Sequence, residues 1–141
     1  MSIRGLLLVA VSFLAYLPGL SAGWHYDDRP GILENSSVRN PEAAWKDLLR
    51  GRSRSLTTLS FALNRRVSPG VLGFHLVNLA IHAANASLVC ALAYRLGLGS
   101  SAAFLAGMFF ALHPLQTQAV TYIVQRSATL GAFFHLLAAM A

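Results

Sequence analysis

Two stretches of this chain, Gly5–Gly23 and Val71–Tyr94, run for about the ~20 residues that a bilayer crossing needs without one charged side chain. That feature constrains the fold more than any motif. Backbone inside hydrocarbon must satisfy its own hydrogen bonds, so blocks of this kind fold as helices. The rest of the composition agrees: 55% of the 141 residues are apolar and 11% are charged, against about 25% charged in an average soluble domain. The chain therefore reads as one all-α polytopic helical bundle. Its net charge of +6 in such a chain points to anionic lipid or phosphate, not to nucleic acid. The single cysteine, Cys90, lies mid-block and cannot form an intrachain disulfide; it reads as buried filler.

The first block follows Arg4 and ends at Ser21-Ala22-Gly23. A cleaved signal peptide has a similar layout, but the block is long for a signal core and further apolar blocks follow, so an anchor is the preferred reading. A second span covers about 71–94. A third is placed at 96–113, since 102–112 alone would rise only about 16 Å; the span either begins near Leu96 or is broken. A fourth begins near 128 and is incomplete at 141, which predicts a fragment of a longer membrane protein. Pro114 ends or kinks the third helix at His113, and 115–127 reads as a surface segment.

Residues 24–70 hold all five carboxylates and eight of the eleven basic residues. Asn40-Pro41 is a helix start, with a side-chain cap and a proline at the first position, and Gly51 is its stop. Glu42 and Lys46 form a favourable pair four apart, and Trp45 suits headgroup depth. This predicts an interfacial helix over 41–50 and a second short one over 56–66, broken by Pro69-Gly70.

Counting crossings puts Asp27, Asp28, His113, Gln118 and Arg126 on one side of the membrane. Adjacent Asp27 and Asp28 cannot face each other on a helix or strand. One carboxylate is then free for a reacting group while the other binds backbone or Arg29; the plain alternative is a solvated loop. His75, Asn78, His82 and Asn85 repeat at three, four and three residues, one stripe of a helix. Such a stripe reads first as hydrogen bonding between helices. His75 and His82 are two turns apart, which argues against a metal pair. Arg50, Arg52 and Arg54, with Arg65 and Arg66, suit either lipid headgroups or a bound phosphate. Asn35-Ser36-Ser37 matches a glycosylation acceptor, a weak pattern.

Four segments in this order, WHYDDRPGILEN (24–35), SRSLTTLSFALN (53–64), GFHLVNLAIHAAN (73–85) and FALHPLQTQAVTYIVQRS (110–127), resemble the N-terminal membrane region of multispanning glycosyltransferases with the GT-C fold. The similarity is closest to the transmembrane and tetratricopeptide-repeat (TMTC-type) protein O-mannosyltransferases and their bacterial relatives. It implies a truncated GT-C fold, with 24–70 as the first extracytoplasmic loop, in a bacterial inner membrane facing the periplasm or an endoplasmic reticulum membrane facing the lumen. It implies transfer of mannose or another hexose from a polyprenyl-phosphate donor to a protein hydroxyl or glycan acceptor, by inverting displacement. Asp27, then Asp28, would be the base; Arg54 and Arg126 would hold the donor phosphate; His113 and Gln118 belong to the second loop motif. Relatives carry an acidic residue at position 118 and another soon after 126. Both are missing here, which puts a divalent cation in doubt as a cofactor, with no other cofactor implied. The repeats and later spans of the family are absent, so these residues alone are expected to be inactive. The competing reading is a non-catalytic relative, scaffold or transporter fragment. The positive-inside rule would place the Arg-rich loop in the cytoplasm; the four-segment resemblance places it outside.

Overall fold

A computed structural model describes residues 3–141, and every regular element among them is helical. α1 (Ile3–Tyr16) tightens at Pro18 into a 3₁₀ turn over Leu17–Ser21. Together they give a predominantly apolar stretch of 19 residues. α5 (Val71–Arg95) has 25 residues, about 37 Å of helix against a core of about 30 Å. α8 (Arg126–Met140), with the 3₁₀ turn Ile123–Gln125 before it, is the third helix long and apolar enough to cross a membrane.

α6 (Ser100–Leu112) differs from the expected span. It has 13 residues, about 20 Å, too short to cross alone. Leu96–Gly99 form a turn in which Gly97 takes a φ of 92°. His113 leaves the helical region (φ −65°, ψ 128°), as the residue before a proline does. The expected surface segment 115–127 holds α7 (Gln116–Thr121) and the 3₁₀ turn.

The break at Pro114 frees backbone groups, and side chains satisfy them. Pro114 has no N–H to continue the ladder, and the Leu115 N–H turns to His113 Nδ1 (3.3 Å). The Ala111 carbonyl, left without its helical donor, accepts from His82 Nε2 at 3.1 Å. Asn78 Nδ2 likewise donates to the Tyr122 and Ile123 carbonyls (3.4 and 3.3 Å), and Asn85 Nδ2 to Thr129 O (2.9 Å). His75 Nε2 reaches Ala22 O at 3.1 Å. All four members of the polar stripe thus bond from α5 to the backbone of another segment, the arrangement expected where no water can serve instead.

α5 is the hub, packed by α1, α6 and α8. The closest approach is at Gly107 of α6, where a Cβ would stand 2.9 Å from Ala86 O and 3.0 Å from Cys90 Cβ. At the far end, Arg95 donates to the Met140 carbonyl, so α5 and α8 run the same way with their starts together.

The connection 24–70 folds as a helical cap over the starts of α5 and α8. A π turn over Arg29–Leu33 leads to α2 (Ser36–Arg39), capped by Asn35 Oδ1 accepting from Ser37 N at 3.0 Å. α3 (Pro41–Leu49) is capped by Asn40 Oδ1, which accepts from Glu42 and Ala43 N–H (3.0 and 3.4 Å). Gly51 turns the chain at φ 65°. α4 (Ser55–Val67) starts after Arg54, which sits in the left-handed region at φ 58°. Among the described residues Glu42 and Lys46 form no ion pair; Asp47 pairs with Arg52 at 3.2 Å instead. Ile32, Val38, Phe61, Phe74 and Ile123 bury a common core under the cap, with Trp24 and Val71 against it.

Candidate active site

The two adjacent aspartates have opposite surroundings. Asp28 has no exposed surface. Its Oδ2 accepts from His25 N and its Oδ1 from Val124 N, both at 2.8 Å. A carboxylate between two N–H donors makes charge-assisted bonds, stronger than neutral ones. The second joins residues 96 apart in sequence, and holds the start of the cap against the entry to α8. The His25 ring stacks on Tyr122 at 4.2 Å beside it. Gly31 lies under Val124, where a Cβ would come within 3.0 Å of Cγ2. Asp28 thus binds backbone, with no contribution from Arg29.

Asp27 is exposed. Its backbone carbonyl accepts from Gly31 N at 3.3 Å, which fixes the turn while the side chain faces out. Among the described residues no ion pair engages its carboxylate.

Arg126 lies inside the protein. It was expected at a donor phosphate; its side chain is fully enclosed. Nε donates to Asn78 Oδ1 (2.7 Å), Nη2 to Asn64 Oδ1 (2.8 Å) and Phe74 O (3.1 Å), and Nη1 to Ser60 O (3.4 Å). The guanidinium lies over the Phe61 ring at 4.5 Å and the Phe74 ring at 5.6 Å from their centroids. No carboxylate pairs with it among the described residues. A buried cation without an anion is costly. Here four oxygen acceptors and two aromatic faces offset that cost. The guanidinium joins α4, α5 and α8 at one point, and in this geometry it has no face left for a ligand.

The remaining expected residues sit on three different segments. Arg54 is exposed at the start of α4. His113 is half-buried, edge-on to Phe109 at 4.9 Å. Gln118 is exposed on α7. Among the described residues no hydrogen bond or ion pair joins these three to Asp27 or Asp28, and no three His, Cys, Asp or Glu side chains converge as a metal site would need. Sequence reasoning missed Ser60, Asn64 and Phe74 as the Arg126 cage. All three stood inside quoted segments, but nothing in their spacing pointed to a partner such as Arg126, 62 residues from Asn64. The Val124 amide could not be foreseen, because a backbone donor has no signature.

Similarity to known proteins covers almost the whole chain. It is 35% identical over 143 residues to a fruit-fly (Drosophila melanogaster) protein named protein O-mannosyl-transferase Tmtc2, covering 91% of this chain and 15% of that protein. Drosophila protein O-mannosyl-transferase Tmtc1 is 36% identical, covering 92% of this chain and 17% of its own length. Human protein O-mannosyl-transferase TMTC3 is 32% identical, with 94% and 16% covered. No family model matches the chain, and no solved structure does. The chain therefore spans 15 to 17% of the length of these relatives. Over that span it is related to the TMTC-type proteins named protein O-mannosyl-transferases.

Proposed function

We propose that this chain is the N-terminal portion of a membrane glycosyltransferase, which moves mannose or another hexose from a polyprenyl-phosphate donor to a protein hydroxyl or glycan acceptor. The observation that carries this reading is the contrast between the aspartates, in a chain more than 30% identical to proteins named O-mannosyl-transferases. Asp28 is locked to two backbone amides and Asp27 is free. A lipid-linked donor keeps its scissile bond at headgroup depth, and Asp27 stands a few residues beyond the α1 span.

In this reading Asp27 takes the acceptor hydroxyl proton. The oxygen attacks the anomeric carbon, the bond from that carbon to the phosphate oxygen breaks, and the polyprenyl phosphate leaves from the opposite face with the electron pair. The anomeric configuration inverts. Arg54 is the exposed cation assigned to the leaving phosphate. His113 and Gln118 belong to the motif of the second loop. Arg126 is a positioning residue, because its guanidinium already has protein partners on every nitrogen.

The test is transfer by the full-length protein from a labelled polyprenyl-phosphate hexose. A positioned base contributes typically 10²–10⁴-fold. Asp27→Asn is expected to lower kcat by about that factor while leaving the thermal midpoint unchanged. Asp28→Asn is expected to lower activity and midpoint together. Wild-type transfer rates in both variants would rule the assignment out.

A further inference from the structure

The helical cap contains a second cationic feature that the transfer reading does not use. Arg39, Arg65 and Arg66 line one cavity of about 290 Å³ together with Val38, Pro41 and Ala62. Among the described residues none of the three meets a carboxylate. Arg39 is held in place: its Nε and Nη2 both donate to Leu33 O, at 3.0 and 2.7 Å. That leaves Nη1 unused by this clamp. Arg65 and Arg66 close the last turn of α4, where the helix dipole favours cations but supplies no counter-ion.

Pro41 also lines the neighbouring groove. This groove, of about 510 Å³, is walled by Trp45, Leu59 and Leu63 with Glu42 and Lys46 at its edge. Trp45, Leu63 and Val67 are exposed. A cationic cavity and an apolar groove therefore meet at one proline, and the pair suits an amphiphile: an anionic head beside a hydrocarbon chain. Position in the chain selects which one. Val71, five residues after Arg66, begins the 25-residue apolar helix α5. The end of α4 is thereby tied to the point where the chain enters the hydrocarbon, and the anions at that depth are lipid phosphates.

We propose that Arg39, Arg65 and Arg66 form a seat for the phosphate of an anionic membrane lipid, with an acyl chain along the Trp45–Leu63 groove, so that the α3–α4 pair is docked on the bilayer surface. The seat needs neither Asp27 nor the sugar donor, so it stands or falls independently of the transfer reading. Guanidinium groups bind phosphate through planar paired hydrogen bonds, and indole sits well at the headgroup boundary.

The probe is dioleoyl phosphatidic acid, compared with dioleoyl phosphatidylcholine, retained by the purified full-length protein in native mass spectrometry. The proposal expects phosphatidic acid to be retained over phosphatidylcholine. It expects Arg65→Gln/Arg66→Gln to cut that retention about tenfold or more, since charged hydrogen bonds are at stake. Arg52→Gln removes an equal kind of charge from the same loop, but one already paired with Asp47; it is expected to change nothing. Inorganic phosphate at millimolar concentration is expected not to displace the lipid. Equal retention of the two lipids would overturn the proposal. So would equal loss in Arg52→Gln, which would mean diffuse attraction, and so would full displacement by inorganic phosphate, which would mean a free-anion site. Both arginines of the double variant are at least partly exposed, and unchanged helicity confirms that a loss of lipid is not a loss of fold.

Discussion

Asp27 and Asp28 differ by one position and by almost everything else that matters energetically. Asp28 satisfies two partly buried N–H groups, those of His25 and Val124. Replacing it by alanine leaves both without partners, at about 1–3 kcal/mol each. Asp28→Ala is therefore expected to lower the thermal midpoint markedly in detergent, while Asp27→Ala leaves it where it was; circular dichroism melts of the two side by side check this. Arg126 belongs to the same argument with the sign of charge reversed. Arg126→Lys keeps the charge but has three donors on one nitrogen in place of a fork, so it cannot reach Asn78, Asn64 and Phe74 O together. We expect it to destabilise by about 3 kcal/mol or more, as breaking a buried charged network does. A midpoint within a degree of wild type would show that the cage is not what holds α4, α5 and α8 together. At this scale the sequence was half informative. The pairing of two carboxylates implied different roles for them, but which one was free depended on a turn geometry, and the fate of Arg126 depended on acceptors from two other helices.

Elements were easier to read where one local rule decides them. Asn40-Pro41 and Gly51 bound α3 because a cap, a fixed φ and a positive φ act within a few residues. The stripe on α5 was legible because helical periodicity alone puts four polar residues on one face. The third apolar block misled, because hydropathy continues through a helix whose length is set by Pro114 and by the glycine turn at 97. What keeps so short a helix in place is close packing: Gly107 lets α6 lie against α5, with Leu8 of α1 also within reach of an added Cβ at 3.1 Å. Small residues at such a contact are the usual means of bringing helices together where lipid gives no hydrophobic drive. Gly107→Ala should push the helices apart and cost about 1–3 kcal/mol, as overpacking does. Gly131 of α8 has open space around its Cβ position, so Gly131→Ala should be neutral or stabilising, because alanine is the better helix former. The pair of variants separates a packing effect from a propensity effect in one melting experiment: equal shifts would dismiss the contact at Gly107 as a packing determinant.

At the scale of the whole molecule, the antiparallel course of α1 and α5 puts Asp27 at one end of the bundle and the Leu96–Gly99 turn at the other. His75 bonds near the end of the first block at Ala22, and Leu8 lies beside α6 near Cys90, so the two helices run in opposite directions along their length. Hydropathy alone announced two such helices; it could not say which side the cap faces. The eight basic residues of the loop argue for the cytoplasm by count, yet counting ignores what each charge does. Arg52 is paired and Arg39 is clamped to a carbonyl, and long connections translocate with weaker regard for charge. We expect the cap outside. In a Cys90→Ala background expressed in a bacterial inner membrane, Tyr26→Cys at the exposed tip (90% exposed) should react with a membrane-impermeant maleimide in intact spheroplasts. Leu98→Cys, in the turn between α5 and α6, should react only after permeabilisation. The opposite pattern would reverse the orientation and remove Asp27 from an extracytoplasmic donor. Labelling of both positions in intact cells would be worse for the fold itself, because a continuous 25-residue apolar helix joins the two ends and would then fail to cross.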